Sequence, residues 1–164
     1  MVDEKLTIAI VTLYPLDPAK TIGGIQAVVQ NLVGELKNHV KIHVMTVDFD
    51  QDIEYVKEPK VTLHFKTASK GINRFMLFYT ERKWIQKKIV EISTDLVHVH
   101  GTDMYGYSVL GVNKPVLLTV HGILSKEADI ADTDLSFLTR RFNKVKGSFN
   151  TYFENKTLKN LKHC

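Results

Sequence analysis

Two adjacent glycines and three histidines are the residues of this chain best suited to chemistry. Gly23 and Gly24 follow the apolar run Leu6-Thr-Ile-Ala-Ile-Val-Thr-Leu-Tyr14 after a short loop and open a segment of helical period that runs to Leu36. A helix starting there aims free backbone N–H groups and its positive end at whatever lies beyond the strand, which makes it a candidate anion site. A glycine pair also serves as a helix start that tolerates unusual backbone angles, and for an isolated pair that plainer reading is preferred. Its position after the first strand weighs the other way. The loop has neither the Gly-Lys-Ser/Thr ending of a P-loop nor three-glycine dinucleotide spacing, so an ATPase or a dinucleotide-dependent dehydrogenase is not supported.

His98 and His100 lie two apart in Leu96–Val99 and its continuation, so as strand residues they point to the same side. A His-x-His pair can bind zinc, but the only further ligands in view are His121 with Asp103 or Asp95, and no metal is expected. His121 follows Leu117-Leu-Thr-Val120 and precedes Gly122, which places it at a strand tip where backbone can approach a ligand closely. A histidine there can donate a hydrogen bond to a substrate hydroxyl or phosphate; the competing reading is a strand-end histidine bonded to nearby backbone. Asp48, Asp50, Asp52 and Glu54 imitate the start of a calcium loop, which then fails at Ile53 and Pro59, and they read as a solvated acidic loop. Glu127, Asp129, Asp132 and Asp134 could form a substrate-facing loop, although capping of a helix start is preferred.

These side chains need a scaffold, and the chain's periodicities supply one. Runs rich in β-branched residues at Leu6–Leu13, Lys41–Val47, Val61–Phe65, Leu96–Val99 and Val116–Val120 read as strands. Between them, Ile25, Val28, Val29, Leu32, Val33 and Leu36 follow helical spacing, as Phe75, Phe78, Ile85, Ile89 and Ile92 do more loosely. From about Leu135, a stripe of Leu138, Phe142, Val145, Phe149, Tyr152 and Phe153 predicts one long helix with a kink at Gly147-Ser148. Alternating strands and helices predict an α/β, Rossmann-like, mostly parallel sheet covered on both faces, with ligands beyond the strands' carboxyl ends. The ends concerned are Tyr14, His100-Gly101 and His121-Gly122.

Composition bounds the function. The 164 residues, 44% hydrophobic, suffice for one domain with one sizeable core, residues 1–164. No apolar run reaches membrane-spanning length and no signal peptide opens the chain, so a cytoplasmic location is expected. The single cysteine, Cys164, allows no intrachain disulfide. A net charge of +4 is mild, and nucleic acid is not the expected partner. Arg140, Arg141, Lys144, Lys146, Lys156, Lys159 and Lys162 face only Glu154, a balance that suits a solvated helix side or peripheral contact with an anionic membrane. The alternation calls for another strand after Leu161, so a truncated chain is expected.

Gly-Gly opening the first helix, Asp95-Leu-Val-His-Val-His100 as a later strand and Pro115-Val-Leu-Leu-Thr-Val-His-Gly122 as the next resemble the N-terminal domain of family 4 retaining glycosyltransferases of the GT-B fold. The resemblance covers essentially the whole chain. It implies two Rossmann-like domains facing across a cleft, the nucleotide-sugar held mostly by the C-terminal one and the acceptor by the N-terminal one. This chain is then the acceptor-side domain, with the C-terminal domain absent and no sugar transfer expected without it. By the same resemblance, Gly23 and Gly24 place backbone amides near the donor diphosphate and His121 lies beside the transferred sugar. His100 matches a recurrent histidine that shapes the cleft, with Gly122 and Tyr14 as further cleft candidates. Retention without a metal or other cofactor is implied, the leaving phosphate assisting deprotonation of the acceptor hydroxyl. One branch of the family has a lysine two positions before its glycine pair; here Lys20 stands three before, with Thr21-Ile22 between.

Other readings stay open. A non-catalytic α/β ligand-binding module is one, although Thr12-Leu13-Tyr14 lacks a receiver domain's acids and Pro15-Leu16-Asp17-Pro18 fits a flavodoxin phosphate loop poorly. Half of a sugar-nucleotide epimerase is another. A zinc hydrolase using His98, His100 and His121 is the least favoured.

Overall fold

The computed structural model describes residues 6–17, 23–49, 53–68, 76–123 and 137–161, with 48–49, 55–57 and 137–146 described through their backbone alone. In chain order the elements are β1 Thr7–Val11, α1 Gly24–Leu36, β2 Lys41–Phe49, β3 Ile53–Glu58, β4 Val61–Thr67, α2 Tyr79–Glu91, β5 Leu96–His100, α3 Met104–Ser108, β6 Val116–Thr119 and α4 Phe137–Asn160. The strands form one sheet in the order β3-β4-β2-β1-β5-β6, parallel throughout except for the antiparallel β3–β4 pair.

The two faces of the sheet carry separate apolar clusters because side chains alternate along each strand. Ile8, Ile10, Ile42, Val44 and Leu63 pack with Val29 and Val33 of α1 on one face. Ala9, Val11, Met45, Val97 and Val99 pack with Ile85 and Ile89 of α2 and with Tyr105 and Val109 on the other. Coverage on both sides is why β1 reads as a continuous apolar run. At the amino end of the sheet Thr7 N–H donates to the Asp95 carboxylate at 2.8 Å, and Thr94 Oγ1 donates to the Thr7 carbonyl at 2.9 Å, tying β1 to β5.

Four features depart from the sequence expectation. The acidic stretch is no solvated loop: β2 runs on through Asp48, and Glu54 belongs to β3, pairing with His64 in the hairpin to β4. Asp50 and Asp52 lie outside the described residues. A five-residue helix, α3, stands between β5 and β6, capped by Asp103, whose Oδ1 accepts from the Tyr105 N–H at 3.0 Å. The second helix starts only at Tyr79, after Leu77 and Phe78 adopt left-handed backbone with φ near 51° and 52°, so Phe78 stands before the helix rather than in it. Phe75 lies outside the described residues. The last helix runs unbroken through Gly147 and Ser148.

Glu54 anchors a buried polar chain on the α2 face. Its carboxylate accepts from His64 Nδ1 at 2.8 Å, which leaves His64 Nε2 to accept from His43 Nδ1 at 2.9 Å. Lys88 also donates to Glu54 at 3.1 Å, and with His64 it holds the carboxyl below its usual range. The remaining His43 nitrogen, Nε2, is buried without a hydrogen-bond partner among the described residues.

Gly101 and Gly106 are glycines by necessity. Gly101 turns the chain out of β5 at φ +96°, and a Cβ on Gly106 would lie 2.6 Å from the Gly101 carbonyl and 2.7 Å from the Thr157 methyl. The close approach seats α4 on α3, where Phe153, only 1% exposed, packs between Phe78 and Tyr107 at ring distances of 5.9 and 5.0 Å. Phe153→Ala should therefore destabilise the domain by about 3 kcal/mol in a urea unfolding experiment; a change under about 1 kcal/mol would show that α4 contributes little to the fold.

Candidate active site

β1 and β5 are neighbours, yet the chain leaves β1 for α1 on one face and leaves β5 for α3 on the other. The carboxyl ends of these strands consequently splay apart, the position at which open α/β sheets bind ligands. A cavity of about 280 Å³ opens there, lined by Leu13, Ile25, Phe78, His100, Met104 and Tyr105 among others. Its floor is set by Tyr105, whose hydroxyl donates to the Val47 carbonyl at 2.8 Å and accepts from the Val47 N–H at 3.1 Å. That phenol supplies the backbone partners that β1, ending at Val11, no longer offers to β2. A tyrosine shortly after a strand is the one cue to this role in the sequence.

The three histidines come together beside this crevice. His98 and His100 share a side of β5 with ring centroids 4.2 Å apart, and register sets them against Leu117 and Thr119 of β6. His98 Nε2 bonds Thr119 Oγ1 at 2.8 Å; His100 Nδ1 bonds His121 Nε2 at 2.8 Å with the rings stacked. His121 is exposed just past the end of β6, whereas His100 is 3% exposed. His100 Nε2 is buried without a hydrogen-bond partner among the described residues.

That orphan nitrogen orients the proton between the two rings. A buried N–H without an acceptor is rarer and costlier than a lone pair without a donor, so His100 carries its proton on Nδ1 and donates to His121 Nε2. The His43 ring, whose tautomer Glu54 fixes through His64, leaves the same Nε2 lone pair unpartnered. With Nε2 accepting from His100, Nδ1 is the ring nitrogen through which His121 donates.

The glycine pair sits at the start of α1 with Gly23 as N-cap, φ −155° and ψ 163°, extended backbone that any residue adopts. A Cβ at either position meets no described atom within 4 Å, and no side chain caps the helix. Neither backbone angle nor crowding among the described residues asks for glycine there. Gly122 follows His121 at the strand tip and is half-buried. Tyr14 is placed differently from the sequence expectation: it is 1% exposed within the α1-side core, its N–H bonded to Thr46 Oγ1 at 3.1 Å, so the core rather than the crevice holds its ring. Asp95 and Asp103, considered as metal partners, are used at the sheet's amino end and at the α3 cap. Among the described residues no group of three potential ligands is placed to hold a metal ion. Lys20 and the acids from Glu127 to Asp134 lie outside the described residues.

A mostly parallel, doubly wound sheet with this crevice defines a Rossmann-like α/β domain. The chain belongs to Glycosyltransferase Family 4, whose description matches residues 22–164. In fold it is similar to a sucrose-phosphate synthase from Thermosynechococcus elongatus, with TM-score 0.57, 19% identity and 87% of this chain matched to 40% of that one. A structure described as trehalose-6-phosphate from E. coli bound with UDP-2-fluoro glucose matches at TM-score 0.47 and 10% identity, over 94% of this chain and 38% of that one. The chain thus spans well under half the length of these proteins. None of the curated protein sequences matches it. Among the described residues no helix is long and apolar enough to cross a membrane.

Burial makes the histidines acid sensors of the fold. Burial, and then neighbouring histidine charge, pushes both His43 and His100 down to about 4. Above the ordinary histidine pKa near 6.5, both folded and unfolded chains are neutral at these sites and stability is undiminished. As pH falls from about 6.5 to 4 the unfolded chain takes protons that the folded one refuses, costing about 3 kcal/mol at each site. Urea midpoints measured across this window should fall steeply toward pH 4, and His43→Gln should flatten the profile; a pH-independent midpoint would contradict the neutral buried state.

Proposed function

We propose that the chain is the acceptor-side domain of a retaining glycosyltransferase that takes a sugar from a nucleotide-sugar and passes it to an acceptor hydroxyl. The opposing domain would hold most of the nucleotide and is not among these residues, so the chain alone would not transfer sugar. The observation that supports the reading best is the hydrogen bond from His100 to His121 at the crevice, which leaves His121 Nδ1–H as a donor. Family membership supports the reaction class.

In this reading the donor diphosphate lies against the start of α1. The free N–H groups beyond Gly23 and Gly24 and the positive helix end stabilise the charge that builds on the leaving phosphate. His121 donates to a hydroxyl of the transferred sugar and holds it in register with the acceptor. The bond from the anomeric carbon to the diphosphate breaks as that to the acceptor oxygen forms on the same face, and the acceptor proton passes to the departing phosphate oxygen. No side chain of this domain is needed as a base, and no metal or other cofactor enters the step. His100 acts through His121 as a positioning residue, and Gly122 lets the ligand approach the strand tip.

Two substitutions test this in a protein that carries the opposing domain. His121→Ala should lower kcat about a hundredfold with the fold intact, and normal turnover would remove His121 from the site. Gly24→Ala separates structure from function more sharply. Alanine suits a helix better than glycine, so thermal unfolding of the chain should show unchanged stability or a gain of up to about 1 kcal/mol, while transfer falls and the donor KM rises. A variant both more stable and fully active would leave the diphosphate no place at Gly24.

A further inference from the structure

At the amino end of β6, away from the crevice, α2, α3 and α4 enclose a second cavity of about 430 Å³. Arg82, Tyr107, Lys114, Tyr152 and Lys156 supply its polar lining, and valine and leucine side chains supply the rest apart from Gly111 and Asn160. Three cations thus converge from three separate segments, the first turn of α2, the loop before β6 and α4, and no carboxylate of the described residues lines the space.

The cations are held rather than neutralised. The Arg82 guanidinium lies 4.1 Å above the centre of the Tyr107 ring, and its buried Nε has no acceptor among the described residues. Lys156 Nζ lies 5.8 Å from the centre of the Tyr152 ring. None of Arg82, Lys114 and Lys156 has an ion pair among the described residues. The Tyr107 and Tyr152 rings meet edge to face at 5.9 Å between centres, which brings both phenols to the same lining. Asn160 spends its amide nitrogen on the Lys156 carbonyl at 2.7 Å and adds no donor from that atom.

We infer that this cavity binds an organic phosphate monoester, with the phosphate held by Arg82, Lys114, Lys156 and a tyrosine hydroxyl and the organic part lying on the aliphatic wall. A phosphate monoester carries close to two negative charges and three strong acceptor oxygens, which matches an arginine fork, two ammonium groups and a phenol. The space falls in the range that small-molecule sites occupy and exceeds what a bare phosphate fills. The site is separate from the reacting crevice, so it suits an effector or an anchoring group. Its link to the crevice is α4, where Glu154 accepts from Thr102 Oγ1 at 3.5 Å just beyond His100 and Gly101.

Calorimetric titration of the chain with glucose 6-phosphate, with inorganic phosphate and glucose as controls, tests a soluble ligand. Sedimentation with phosphatidylcholine vesicles with and without phosphatidic acid tests a lipid headgroup of the same chemistry. Binding in either arm supports the site and identifies the source. Lys114→Gln combined with Lys156→Gln, at one half-buried and one exposed position, should then weaken binding at least about tenfold. Lys114→Gln alone serves if the double variant unfolds, and it should weaken binding measurably. Silence in both arms, undiminished affinity in the variants, or inorganic phosphate binding as tightly as the ester would each overturn the inference.

Discussion

The double burial of β1 is the constraint from which the rest of the domain follows. Ala9, Ile10 and Val11 are fully enclosed, and the strand pairs along its length with β2 on one side and β5 on the other. A strand so placed needs apolar residues on both faces and helices over both. α1 covers one face; α2 and α3 cover the other. Once the connections leave β1 and β5 toward opposite faces, the crevice between their carboxyl ends is a topological consequence rather than a separate feature of the sequence. Tyr105 then closes its floor by taking over the backbone groups of Val47.

Two chains of buried imidazoles use the same chemistry for different ends. In the first, Glu54 accepts from His64 and thereby decides every proton position as far as His43. It links β3, β4 and β2, is tied by Lys88 to α2, and stops in the interior. The second has no carboxylate. Its direction rests on the cost of a buried unpaired N–H at His100, and it ends at an exposed ring instead of an interior one. A polar chain that ends at the surface of a crevice passes its orientation to whatever binds there; one that ends in the core only stabilises or destabilises the fold.

The sequence made the scaffold legible where a period was strong. β1, β2, β4, β5, β6 and α1 lie where alternation or helical spacing put them, because burial imposes those periods directly. The omissions have physical causes. β3 mixes Ile53, Tyr55 and Val56 with Glu54, Lys57 and Glu58 without a clean alternation, as a charged edge strand can, so its acids resembled a loop. α3 has five residues, too few for a helical period to register. The start of α2 depends on a left-handed pair, Leu77 and Phe78, that no propensity favours. For the site, strand parity was enough to put His98 and His100 on one side. Their pairing with Thr119 and His121 depends on the β5–β6 register, which only the folded sheet defines. Tyr14 differs for a related reason: beyond the end of β1 its ring packs in the α1-side core, a direction that position in the sequence does not encode.

The glycines separate what the fold needs from what it does not explain. Gly101 needs its positive φ, and Gly106 needs to be small because a carbonyl and the Thr157 methyl would stand within bonding-clash distance of a Cβ. Both are accounted for inside the domain. Gly23 and Gly24 have ordinary backbone and open surroundings among the described residues, yet glycine at a helix start gives up a side-chain cap and costs more backbone entropy than alanine would. A residue that weakens its own helix without easing any described contact makes sense if its advantage lies outside the domain. Bare backbone at the positive end of α1, on the side of the sheet where the His121 donor emerges, is a surface for an anion to approach closely, and that is the advantage which the sugar-transfer reading supplies.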